Sequence, residues 1–106
     1  MTDSTEATTV LLTQQNDARG LRTIEAAWRD GGIDIQGQDL GRGEYEWAWS
    51  VQRVDVPSIA GALGGREGDD PMRLLKAWCR ANRGADPGVR LREAGVPMAF
   101  WSRSGD

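Results

Sequence analysis

The chain of 106 residues contains no histidine and a single cysteine, Cys79, and these two shortages exclude most familiar chemistry. Without imidazole, Ser-His-Asp and Cys-His nucleophile systems lack their base, and zinc sites of the usual type lack a ligand. One cysteine cannot close an intramolecular disulfide, and its place in an apolar helical pattern makes it a buried, inert thiol. A reducing cytoplasm suits such a chain. Apolar runs are short as well: Val10 to Leu12 has polar flanks, so neither a signal peptide nor a membrane span is expected. Any catalysis would rest on carboxylates, arginine, Lys76, Tyr45 or Cys79. No cofactor motif is present.

What is there fits one domain with one modest core, since 39% of the residues are hydrophobic and the length is near the commonest domain size. Five of the aromatic residues are tryptophan, so much of the buried area is expected from a few large side chains, most of the tryptophans among them. The net charge of −3 hides an asymmetry: residues 1–70 carry six arginines against thirteen carboxylates, and residues 71–106 carry seven cations against three carboxylates. The first part is therefore at −7 and the second at +4, which predicts one acidic and one basic surface unless the fold mixes them. An acidic chain is a poor nucleic-acid binder, because phosphate neutralisation needs a positive footprint. Basic proteins are the expected partners.

The most informative stretch is Gly43–Val54. Tyr45, Trp47, Trp49 and Val51 fall on one parity, while Glu44, Glu46, Ala48, Ser50 and Gln52 fall on the other, the period of a strand with one buried and one wet face. Before it, residues 1–7 read as a flexible start and Thr8–Gln14 as a first strand. Asn16, Asp17 and Gly20 mark a turn. Residues 21–29 fit both a helical face and alternation, but Asp30-Gly31 is a strong hairpin signal, so Arg22–Arg29 is expected to pair with Ile33–Gln38. Gly37, Gly41 and Gly43 are read as a permissive connection.

After Val54, Asp55 is expected to cap a short helix with Pro57 in its first turn, Val54 and Ile59 forming a hydrophobic staple, and Gly64 closing it. Asp70-Pro71 starts the longest helix, through about Asn82. Leu74, Leu75, Trp78 and Cys79 lie on one side, and Arg73, Lys76, Arg80 and Arg83 on the other. Asp86-Pro87 starts a third helix that Gly95 stops. Val96–Ser102 is an edge or terminal strand, with Pro97 near its start. The domain thus spans 8–103, with 104–106 as tail. The expected fold is α+β: a mostly antiparallel sheet of four to five strands, two to three helices on one face, order β-β-β-β-α-α-α-β.

Several candidate sites dissolve on inspection. Gly61–Gly68 lacks the phosphate-loop spacing, and Asp69 and Asp70 would repel phosphate. Glu67, Asp69 and Asp70 lack the regular oxygen set of a calcium loop; helix capping by Asp70, with Asp69 favoured by the helix dipole, explains the aspartate pair without an ion. The Arg73, Lys76, Arg80, Arg83 stripe reads as a wet helix face. Glu44 and Glu46 stand at a spacing that paired catalytic carboxylates can use, with Tyr45 or Arg42 beside them in a ligand-binding or enzymatic alternative, yet a solvated strand face explains the alternation outright. The preferred reading pools Asp34, Asp39, Glu44 and Glu46 from neighbouring strands into an acidic patch that steers a basic partner. Trp101 joins them as an exposed anchor, being on the parity opposite Val96, Met98 and Phe100. Self-association through Val96–Ser102, giving a homodimer, is the third alternative.

E-Y-E-W at Glu44–Trp47, D-V-P at Asp55–Pro57, L-G-G…G-D-D at Leu63–Asp70 and F-W-S-R at Phe100–Arg103 together resemble a group of small acidic actinobacterial proteins, over roughly residues 32–106. That resemblance implies no activity and no catalytic residues. In architecture, a compact acidic α+β domain with a tryptophan-bearing strand is also similar to immunity proteins of bacterial toxin systems. This second likeness implies binding and blocking of a toxin.

Overall fold

The computed structural model describes residues 9–18, 20–41 and 43–105; the start expected to be flexible lies outside them. The elements are β1 (Thr9–Asp17), β2 (Gly20–Arg29), β3 (Gly32–Asp39), β4 (Glu44–Val51), a 3-10 turn (Arg53–Asp55), α1 (Ser58–Ala62), α2 (Pro71–Ala81), α3 (Pro87–Glu93) and β5 (Ala99–Gly105). All five strands form one antiparallel sheet in the order β1-β2-β3-β4-β5. The α+β architecture and element order match the expectation from sequence.

Asp30-Gly31 makes the β2–β3 turn: both residues have positive φ, 53° and 83°, the geometry whose twist matches that of the strands it joins. Ala26 consequently pairs with Ile35 and Trp28 with Ile33, which settles residues 21–29 as strand. β1 runs on through Asn16 and Asp17 to pair with β2, so the turn is tighter than expected. Its register slips between Leu11 and Thr13. This bulge shifts the phase of the strand: Leu11 stands opposite Glu25 and is exposed, Leu12 is the extra residue and is buried, and Thr13 resumes the pairing opposite Ile24.

Gly37 lies inside β3, opposite Trp47, and not in a connection. A Cβ there would stand 2.1 Å from the Trp47 ring, so the missing side chain is the space the indole occupies. β5 extends to Gly105, opposite Glu44, taking up Ser104 and Gly105, which were expected in the tail.

The first helix starts differently from the expectation. Asp55 N–H bonds Gln52 O at 2.8 Å and Val56 N–H bonds Arg53 O at 3.2 Å, so Asp55 is spent in a 3-10 turn. Pro57 occupies the N-cap position without a side-chain bond. Val54 is 78% exposed, and no staple forms. The C-terminal end agrees: Gly64 has φ 80° and Gly65 N–H reaches Ala60 O at 2.8 Å, a Schellman-type closure. The later helices are capped as expected, Asp70 Oδ1 accepting from Met72 N at 3.1 Å and Asp86 Oδ1 from Gly88 N at 2.9 Å.

Trp47, Trp49 and Val51 of β4 meet Ile24 and Ala26 of β2, Ile33 and Ile35 of β3, and Ile59, Met72, Leu75, Cys79 and Leu91 of the helices in one core. Each fully buried Ile or Leu contributes about 1.5–3 kcal/mol. α2 packs along β1, and the three helices touch one another. Two expected core members lie outside it. Tyr45, at the start of β4, and Trp28, at the tip of the β2–β3 hairpin, are 39% and 37% exposed. Of the tryptophans, only Trp47 and Trp49 are fully buried; Trp78 packs against the core from its edge, and Trp28 and Trp101 are exposed.

Candidate functional site

Because side chains alternate along a strand, the register fixes what the other sheet face presents. One row runs Leu11, Glu25, Gln36, Ala48, Trp101; the next runs Thr23, Gln38, Glu46, Arg103; the next Thr9, Ala27, Asp34, Ser50, Ala99. The described helices pack on the other face, and the centre of this one is polar. Ala48 is the exception, 3% exposed although its side chain points away from the core, because its row neighbours Gln36 and Trp101 flank it. Trp101 is 51% exposed. Beside it lies a depression of about 320 Å³ lined by Thr23, Glu25, Gln36, Gln38 and Glu46.

Four of the five residues proposed from sequence for partner binding, Asp34, Glu44, Glu46 and Trp101, share this face. Asp39 does not. It pairs with Arg22 and Tyr45 on the helix-bearing parity, where Oδ1 accepts from Gly41 N at 3.0 Å and Oδ2 from Arg22 at 3.5 Å. The one-residue difference in parity decides its face, and counting carboxylates along the sequence does not reveal it.

The carboxylates on the open face are unequal. Asp34 accepts from Arg29 Nη1 and Glu46 from Arg103 Nη2, each at 2.8 Å. Gln38 Nε2 also donates to Glu46 at 3.5 Å. Among the described residues, Glu25 and Glu44 have no ion pair or hydrogen bond through their side chains, and sequence reasoning missed Glu25. The signal was available: Glu25 sits on the parity opposite Ile24, Ala26 and Trp28 once that segment is read as a strand. Four carboxylates (Glu25, Asp34, Glu44, Glu46) against two arginines (Arg29, Arg103) leave the described part of this face at −2. The exposed Arg73, Lys76 and Arg80 of α2 lie on the opposite side of the sheet. The charge asymmetry of the sequence is only partly a separation across the sheet, since Asp39 lies on the helix-bearing face, Asp55 in the 3-10 turn, and Glu67, Asp69 and Asp70 in the segment leading into α2.

Glu44 is exposed and Glu46 is turned to Arg103, so the two do not converge on an enclosed cavity as an acid–base pair would. Asp69 and Asp70 are engaged as turn and cap acceptors from Arg66 N and Met72 N. Cys79 is buried in the core; burial first, and the charge of Asp86 second, push its thiol up to about 11. No described helix is long and apolar enough to cross a membrane.

No family model, curated protein or solved structure matches the chain.

Proposed function

We propose that this chain is a protein-binding domain, of the immunity-inhibitor kind, that receives a basic partner on its uncovered sheet face. The observation that carries the reading is the exposed Trp101 ring beside a depression rimmed by Glu25 and Glu46. An arginine or lysine of the partner would place its cation over the indole and its hydrogen bonds on the carboxylates, while the glutamines supply neutral contacts. The unpaired Glu25 and Glu44 contribute long-range attraction, which raises association rates more than it raises affinity.

The test is a titration with a tri-arginine peptide at low ionic strength, followed by amide chemical shifts. Perturbations should map to the open-face residues of β2 to β5, and the double change Glu44→Lys, Glu46→Lys should abolish them while the fold is retained. Shifts confined to the helices, or binding indifferent to the double change, would sink the proposal. A second reading rests on β5, an edge strand carrying Phe100 and Trp101 exposed on its two faces. Strand pairing with a second copy would cover it, and a monomer at high concentration in sedimentation would end that reading.

A further inference from the structure

On the helix-bearing side, residues of β4, β5 and α3 line a groove of about 360 Å³. Its walls are Tyr45, Trp47, Trp49 and Phe100 from the sheet and Val89 from α3, with Arg22, Arg92 and Asp86 at its edges. We propose that this groove binds a small planar aromatic carboxylate.

The shape sets the planar aromatic part. Tyr45 and Phe100 are 39% and 49% exposed; Tyr45 lies stacked on Trp47 at 5.5 Å, and Phe100 tilts against Trp49 at 4.4 Å. Half-exposed rings backed by buried indoles form stiff walls that lose little entropy when a flat ligand slides between them. The volume sits at the small end of ligand pockets, roughly 300–1,000 Å³.

The electrostatics set the carboxylate. Arg22 and Arg92 hold their guanidinium carbons 5.0 and 5.7 Å from the centroids of Trp47 and Trp49. Arg92 has no hydrogen bond or ion pair among the described residues; Arg22 is held by Nε donating to Gly84 O at 3.1 Å and meets Asp39 through Nη1 at 3.5 Å, so Arg92 is the freer cation. The acid of the groove is committed elsewhere: Asp86 accepts from Trp49 Nε1 at 2.8 Å and from Gly88 N at 2.9 Å. A second, independent feature asks for an acceptor. Trp47 is 4% exposed, and its Nε1 is buried with no hydrogen-bond partner, a deficit that native proteins rarely leave unfilled. A ligand carboxylate would supply oxygens to the Arg92 guanidinium; to reach the Trp47 N–H as well, which has under 1 Å² of exposed surface, it would have to displace the side chains that cover it.

The site is on the face opposite the proposed partner surface and stands or falls separately from it. The test uses 2-naphthoate and its neutral isostere 2-naphthamide, followed by tryptophan fluorescence and the indole N–H resonances. Naphthoate should bind saturably and shift the Trp47 Nε1–H signal, and naphthamide should bind at least about ten-fold more weakly. Arg92→Gln should lower naphthoate affinity about ten-fold, the loss of a charge-assisted hydrogen bond, whereas Arg80→Gln on α2 should leave it unchanged. Four results would overturn the proposal: no saturation up to about 10 mM, equal binding of acid and amide, equal losses in the two arginine variants, or an unmoved Trp47 signal.

Discussion

Trp49 donates its indole N–H to Asp86 Oδ2 at 2.8 Å, and the other oxygen of that carboxylate accepts from Gly88 N at 2.9 Å. One side chain therefore caps α3 and ties it to the middle of β4. Gly88 completes the joint, since a Cβ there would fall 2.1 Å from the Trp49 ring. Asp86→Ala removes a helix cap worth about 1 kcal/mol and strands a largely buried N–H at a cost of about 1–3 kcal/mol. Urea unfolding should show a loss of roughly 2–4 kcal/mol, and Asp86→Asn, which keeps one acceptor, should lose less. A loss under about 0.5 kcal/mol in the alanine variant would show that the joint is not structural.

Gly37 and Trp47 make a second close pair. Any side chain at residue 37 meets the six-membered ring of Trp47, its nearest atoms 2.1 to 2.5 Å from an added Cβ. The backbone there does not have positive φ, so the conflict is steric and not conformational. Gly37→Ala should cost about 1–3 kcal/mol by overpacking. Combining it with Trp47→Leu should recover part of that loss, because the smaller side chain vacates the contested volume. Strict additivity of the two changes in denaturation experiments would contradict this account.

These two pairs show what was readable in the sequence and what was not. The parity of Trp47 and Trp49, the Asp30-Gly31 turn, and the Asp-Pro starts at Asp70 and Asp86 are local signals, carried by residues adjacent in the chain, and the structure follows them. Gly37 looked like loop material because its reason is Trp47, ten positions away and opposite only in the folded sheet. Asp55 and Val54 had a complete capping pattern, but a 3-10 turn claimed the same residues first. The open face was half legible: Glu44 and Glu46 follow from alternation, the misplacement of Asp39 is an error of strand phase, and Glu25, which alternation puts on the same face, joins the others only once the register sets it beside Gln36. The aromatic groove was illegible, since exposure of Tyr45 and Phe100 depends on where α3 ends relative to the sheet.

Cys79 gives a prediction in pH. Its thiol is raised from 9.0 to about 11, chiefly by burial and secondarily by Asp86. The folded state thus holds this proton more tightly than the unfolded state, so the associated stability is complete below about pH 9 and is lost as pH rises toward about 11. Cys79→Ala should be less stable at neutral pH, from the cavity, yet its stability should fall less steeply over this alkaline window. At pH 8, labelling of the thiol by a disulfide reagent should keep pace with global unfolding and rise with urea. Rapid labelling in native buffer would contradict the burial of Cys79.

Arg103 separates stability from association on the open face. It is exposed and bonds Glu46 at 2.8 Å, and such surface pairs contribute about 0–1 kcal/mol. Arg103→Gln should therefore change unfolding free energy by less than about 1 kcal/mol. The same change moves the described charge of that face from −2 to −3 and leaves Glu46 without its cation. Association with the tri-arginine peptide should then be faster than for the unaltered chain, with the gain largest at low salt and nearly gone once the Debye length shrinks to about 3 Å at 1 M. Glu25→Gln, which removes an unpaired carboxylate from the same row as Trp101, should slow it. If both variants associate at the original rate at low salt, the charge of this face has no part in recognition, and Trp101 would have to act alone.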